Sequence, residues 1–156
     1  MIVTLTSKDL KNQDMTLLIN TIYKNFLELA TEPRLNHTKS EIQKTLESEG
    51  CVLVLILHDN KIIGYLLGEV MDLEDSRHVL FISYIYVVKF MRNKKLGCKL
   101  MSLAISYGIE HRLDGIMLIY NTSDRKLERY YDKYGFMLDF HLRRYEKHDV
   151  FFKILP

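Results

Sequence analysis

The sequence predicts a single α/β domain built on a mixed sheet. Three observations predict it. Helix-period and strand-period segments alternate in the order β-α-α-β-β-β-α-β-α-β-β, a mixture that calls for helices packed on a sheet. A helical segment joins the strand that ends near Val88 to the strand that ends at Asn121, which requires a right-handed parallel crossover. The 156 residues hold only two prolines and show no repeat, low-complexity tract or linker, so one domain over residues 1–156 is expected.

Ile2 to Thr6 alternates apolar and polar residues, as a half-buried strand does. Ser7 or Asp9 is suited to cap the next helix. Met15, Leu18, Ile19, Ile22 and Phe26 recur at helical spacing, and Glu32-Pro33 breaks that helix. A second helix is expected from near Thr38, with Ile42 and Leu46 inward and a stop at Gly50. Cys51–His58 and Lys61–Val70 are rich in β-formers, and the Asp59-Asn60 turn between them makes a hairpin. Asp72 to Arg77 reads as a charged loop, and His78 to Val88 as a long strand. Leu96, Leu100, Leu103, Ala104 and Tyr107 mark one helical face, and Gly115–Asn121 is a short strand of the buried type. Leu127, Tyr130, Tyr131 and Tyr134 define a helix that Gly135 ends. Phe136–Arg143 and Val150–Leu155 complete the expected sheet.

Composition narrows the function classes. A formal net charge of +2 is too small to mark a nucleic-acid binder in bulk. Cys51 and Cys98 stand far apart with no zinc-ligand spacing, so no metal site is expected and tolerated thiols in a reducing compartment fit. The N-terminus lacks a basic stretch followed by an apolar one, and the longest apolar run, Cys51–Leu57, is too short to span a bilayer. A cytoplasmic protein without membrane attachment is the expectation.

Local charge says more. Val87 to Lys99 carries five cations in thirteen residues, between a strand end and a helix N-terminus. Unsatisfied N–H groups and the positive end of the helix dipole favour a phosphate there, and Gly97 lets backbone approach a ligand without a Cβ. The same charges also suit a solvated connection. Nucleic-acid contact is disfavoured, because the cations neither extend along the helix nor interleave with exposed aromatics.

The run Arg92-x-x-Lys95-x-Gly97-Cys98, preceded by Ile85-Tyr86-Val87, resembles the acetyl-CoA signature of the GCN5-related N-acetyltransferase (GNAT) superfamily. Its usual pattern is Arg or Gln, two residues, Gly, one residue, then Gly or Ala; Lys95 departs from it by standing at the first glycine. The element order matches that family from Ile2 to Leu155. The resemblance implies a largely antiparallel mixed sheet, flanked by helices, whose central parallel pair is splayed. It implies acetyl-CoA as acyl donor, held by Arg92, Asn93, Lys94, Lys95, Leu96, Gly97 and Cys98. It further implies that Ile85, Tyr86 and Val87 pair with the pantetheine arm. If the backbone at Lys95 requires a positive φ, lysine carries a conformational cost there.

A second block, Asp124 to Phe136, is similar to the family's Asn-(six residues)-Tyr-x-Lys-x-Gly-Phe pattern, with Asp124 in the Asn position. Tyr131 then matches the tyrosine that protonates the departing thiolate in many members. Read from spacing alone, Tyr130, Tyr131 and Tyr134 are a packing stripe and Asp124 a helix cap. The resemblance implies direct attack by an amine in a ternary complex. Neither familiar base of that strand is present, since Ser83 and Phe81 occupy the two positions where relatives carry glutamate. Glu69 on the preceding strand, His78, and a water chain through Ser83 or Tyr84 are the remaining candidates, with Glu69 ahead of His78. Glu69 also reads as a solvent-facing strand end, and His78 as a loop-edge residue. The acceptor is expected to be a small-molecule or peptide amine. Asp72, Glu74 and Asp75 are suited to attract its cation, or simply to solvate a loop, and the connection Thr31–Thr38 mixes signs.

Overall fold

The computed structural model describes residues 1–29, 38–121, 125–139 and 148–156. They form β1 (Ile2–Thr6), α1 (Ser7–Leu10), α2 (Thr16–Leu29), α3 (Lys39–Leu46), β2 (Cys51–His58), β3 (Lys61–Asp72) and β4 (His78–Val87). Then come α4 (Leu96–Glu110), β5 (Gly115–Asn121), α5 (Arg125–Asp132), β6 (Met137–Leu138) and β7 (His148–Ile154). One seven-stranded sheet runs in the order β1-β2-β3-β4-β5-β7-β6. The pairs β1–β2, β2–β3, β5–β7 and β6–β7 are antiparallel, and β4–β5 is parallel, as the crossover through α4 requires. The expected mixed α/β sheet is therefore present. Among the described residues, no helix is long and apolar enough to cross a membrane.

Two compact units divide the chain, Met1–Glu69 with Tyr84–Leu100 and Val70–Ser83 with Met101–Pro156. In the first, the helix expected after β1 is two helices. Asp9 Oδ2 accepts the backbone N–H of Thr6 at 2.9 Å and so closes a cap on the single turn of α1. Asn12, at φ 65°, turns the chain, and Asp14 Oδ1 accepts the N–H and hydroxyl of Thr16 at 2.9 and 2.7 Å to start α2. These side-chain acceptors set the single turn of α1 apart from α2, whose apolar stripe begins only at Met15. Thr38 caps α3 as expected, accepting the N–H of Glu41 at 3.2 Å.

Asp59 and Asn60 both adopt positive φ, 50° and 60°, the backbone of a tight two-residue hairpin turn. Side chains alternate along the strands. Cys51, Leu53, Tyr65, Leu67, Tyr84 and Tyr86 pack with Leu10, Ile22, Ile42 and Leu46 from the helices. Val52, Val54 and Leu66, on the opposite parity, are also buried, which is why β2 reads as an unbroken apolar run.

In the second unit, Val79, Met117 and Val150 form a core cluster with Phe81, Ile119 and Phe152 packed on it. Gly115 is required sterically, because a Cβ there would lie 2.2 Å from the Phe152 ring and 2.5 Å from the Lys153 carbonyl. Arg77 ties the turn after β3 to the buried Asp139, with Nη1 2.7 Å from Oδ2, and rests 4.5 Å from the Phe152 ring centre. β3 is two residues longer than expected, absorbing Met71 and Asp72. Of the expected strand Phe136–Arg143 only Met137–Leu138 is strand, and 140–143 lies outside the described residues.

The first core holds several weak acids whose protons burial retains. Cys51 and Tyr65 are pushed up to about 12 from 9.0 and 10.0, and Tyr84 is also raised, burial being the main cause in each. The unfolded chain therefore releases these protons at lower pH than the folded one, and stability falls as pH rises from near 9.0 toward about 12. Urea unfolding should show a clearly lower midpoint at about pH 11 than at about pH 8. An unchanged midpoint would contradict this account.

Candidate active site

At the end of β4 the chain makes a 3₁₀ turn, Lys89–Met91, anchored where Val88 N–H donates to Ile63 O at 2.9 Å. Residues 92–95 then lead into α4. Asn93 has φ 64° and Lys95 φ 62°. Asparagine tolerates the left-handed region, but lysine there costs about 1–2 kcal/mol. The backbone at the family's first glycine thus does adopt positive φ, with lysine bearing the cost. Lys95 O accepts the N–H of Lys99 at 3.1 Å, which makes Lys95 the cap residue of α4. The N–H groups of Leu96, Gly97 and Cys98 have no acceptor within the helix. Arg92, Asn93, Lys94, Lys95 and Cys98 are exposed, while Leu96 and Gly97 are half-buried. Free N–H groups, a helix N-terminus and three cations together suit a pyrophosphate.

Arg92 is held rather than loose. Its Nε donates to Val87 O at 2.8 Å, and its guanidinium carbon lies 5.3 Å from the Tyr86 ring centre. Tyr86 is buried, stacks on Tyr65 at 5.7 Å and 25°, and donates its hydroxyl to Glu28 Oε2 at 3.2 Å. Asn25 Nδ2 donates to the Tyr65 hydroxyl at 3.2 Å. Burial first, and Glu28 second, hold the Tyr86 phenol above its ordinary value, with Arg92 opposing. Asn25, Glu28 and Tyr65 escaped the sequence reading because they lie 40 to 58 residues from their partners. The one available signal was Asn25, a polar residue three positions after Ile22 on the inward stripe of α2. Ile85 and Val87 are half-buried on the alternate face of β4.

Glu69 belongs to the same unit. Its Oε1 accepts the Ser48 hydroxyl at 2.7 Å, and it faces Cys51 across the β2–β3 ladder. Tyr84 packs edge-on against Phe26 at 6.0 Å inside the first core. The remaining candidates lie in the second unit. The His78 ring pairs with Asp72, and its backbone N–H donates to Asp114 Oδ2 at 2.7 Å. Asp75 is engaged by Arg77 at 2.8 Å, so two of the three loop carboxylates already have internal partners and Glu74 is exposed. Ser83 is half-buried.

Tyr131 lies in the second unit on α5, 7% exposed, with its ring 5.1 Å from Tyr130 and 5.7 Å from Phe136. Phe136 N–H donates to Tyr131 O at 3.3 Å, and Gly135, at φ 85°, ends the helix as expected. Tyr130 and Tyr134 are only half-buried, so the expected packing stripe narrows to Tyr131. Asp124 lies outside the described residues. The parallel pairing of β4 with β5 comprises Val79–Phe81 against Gly115–Met117, and both strands continue past it, to Val87 and Asn121.

The basic turn into a helix, the parallel strand pair and the tyrosine helix follow one another in this order along the chain. The model of the acetyltransferase (GNAT) family matches residues 18–136, and the chain belongs to that family. Solved structures agree on the fold. Ard1 from Thermoplasma volcanium is 17% identical, with a TM-score of 0.70 over 100% of this chain and 97% of that one. A GNAT-family acetyltransferase from Streptococcus pneumoniae is 19% identical, with a TM-score of 0.69 over 99% of each chain. A chain of the NatC complex bound to Gag peptide and CoA is 21% identical, with a TM-score of 0.70 over 99% and 98%. No match was found among curated protein sequences.

Because Lys95 bears the left-handed conformation that glycine adopts freely, Lys95→Gly should stabilise the protein. Relief of about 1–2 kcal/mol is partly offset by the larger entropy glycine loses on folding, leaving about 0.5–1 kcal/mol. Thermal denaturation should show a rise of about 1–4 °C, and a fall would show that the lysine side chain makes compensating contacts.

Proposed function

We propose that this chain is an N-acetyltransferase that moves an acetyl group from acetyl-CoA to a primary amine by direct attack in a ternary complex. The observation that carries the reading is the left-handed turn at Lys95, which leads the exposed cations Arg92, Lys94 and Lys95 into the first turn of α4, whose N–H groups have no acceptor within the helix. A turn of this kind keeps the geometry of the glycine signature although the glycine is replaced. In this reading the N–H groups of Leu96, Gly97 and Cys98, with Arg92, Asn93, Lys94 and Lys95, cradle the pyrophosphate, and Asp124 is a further donor-binding residue by its match to the family pattern. Backbone groups of Ile85, Tyr86 and Val87 pair with the pantetheine arm, a role supported by the short β4–β5 pairing. Residues 1–156 act as one catalytic domain in the cytoplasm.

Bound acetyl-CoA supplies a thioester carbonyl. The rest of the chemistry falls to side chains that manage protons. Tyr131 protonates the departing thiolate, a role supported by its match to the family pattern and by the packing that orients its ring. Glu69 receives a proton from the acceptor ammonium, a role supported by the Ser48 hydroxyl that orients its carboxylate. The acceptor is a polyamine, a lysine side chain or a protein N-terminus. A second reading, a non-catalytic acyl-CoA-binding module, is favoured by one observation: Phe81 and Ser83 stand where relatives carry a base on β4.

Calorimetry should detect acetyl-CoA binding, and adding a suitable amine should release free CoA thiol. No binding at millimolar ligand would sink the reading; binding without turnover across an amine panel would select the module. Tyr131→Phe should lower kcat about 10²-fold or more while leaving the acetyl-CoA KM within about twofold. An unchanged kcat would remove Tyr131 from the acid role.

A further inference from the structure

We propose that Tyr86 is a positioning residue for Arg92, presenting its guanidinium to the donor's phosphates, with Glu28 and Tyr65 fixing the Tyr86 ring. The inference rests on the reading of residues 92–98 as a CoA phosphate site and adds a role carried by the Tyr86 side chain and by α2. Arg92 is an exposed residue on a loop, and a long side chain so placed ordinarily samples many rotamers. Here two contacts restrict it. Nε is committed to Val87 O at 2.8 Å, and the guanidinium lies over the Tyr86 ring at 5.3 Å. Committing Nε leaves the two terminal nitrogens as a planar fork, the geometry that grips a phosphate bidentately.

The ring that carries Arg92 is itself fixed from two sides. Tyr65 stacks on it at 5.7 Å and is tied to α2 by Asn25. Glu28 receives its hydroxyl at 3.2 Å. Glu28 lies in the last turn of α2, where the helix dipole disfavours a carboxylate and no basic residue offsets it. Among the described residues, the phenol is its hydrogen-bond partner. Raised above its ordinary value by burial, Tyr86 keeps its proton and remains a donor to Glu28 at neutral pH.

A double-mutant cycle tests this, with CoA as the probe in calorimetry and acetyl-CoA in steady-state kinetics. Tyr86→Leu should weaken CoA binding about five- to tenfold and raise the acetyl-CoA KM to match, with kcat changed less than about twofold. Tyr86→Phe, which keeps the ring under Arg92 but loses the hydroxyl bond to Glu28, should weaken CoA binding measurably but by less than the leucine variant does. In an Arg92→Ala background, Tyr86→Leu should add nothing further. Should the leucine variant fail to fold, Tyr86→Met carries the same cycle with more of the buried volume retained. Independent, multiplying effects of the two substitutions, or wild-type CoA affinity in the leucine variant, would overturn the role of Tyr86. A wild-type protein that binds no CoA would instead overturn the phosphate site itself.

Discussion

The tight turn from β4 into α4 is the constraint around which the candidate site is arranged. A parallel neighbour for β4 requires a helical crossover, and the helix must begin soon after the strand ends. The chain meets this with a 3₁₀ turn and two left-handed residues, Asn93 and Lys95. One consequence is that the first N–H groups of α4, which have no acceptor within the helix, stand beside three exposed cations.

A layer of buried phenols supports that turn from behind. Tyr65, Tyr84 and Tyr86 sit on the face of β3 and β4 that α2 and α3 cover. Their rings provide apolar bulk, while their hydroxyls require partners that a purely aliphatic core would not. Asn25 and Glu28 satisfy two of them from α2. The same ring that fills the core therefore also contacts Arg92, so packing and electrostatics cannot be varied independently at Tyr86. In the second unit, Arg77 plays a comparable structural part, since its two carboxylate partners and the Phe152 face pin the turn after β3.

Legibility tracked the range of the forces involved. Strands β2, β3, β4 and β5 and helices α3, α4 and α5 were readable because period, capping and turn residues are local. The Asp59-Asn60 turn and the Gly135 stop are examples. The split between α1 and α2 was not readable, because it rests on Thr6 and Thr16 donating to the carboxylates of Asp9 and Asp14, short bonds that no apolar period marks. Glu69 and His78 were visible as titratable residues. Their engagement by Ser48 and Asp72 was not, since nothing local announces a partner across a ladder or a turn.

By itself the sequence determined the fold class, the element order apart from the split of α1 from α2, and the basic character of the segment 92–98, because periodicity, glycine and charge act over a few residues. Membership of the GNAT family is shown by the match of the family model over residues 18–136. Tertiary structure alone decided the backbone conformation at Lys95 and the gathering of Asn25, Glu28, Tyr65 and Tyr86 behind Arg92. It also decided which loop carboxylates are already paired. These depend on sheet pairing and helix docking, which bring together residues tens of positions apart through contacts that no local pattern encodes.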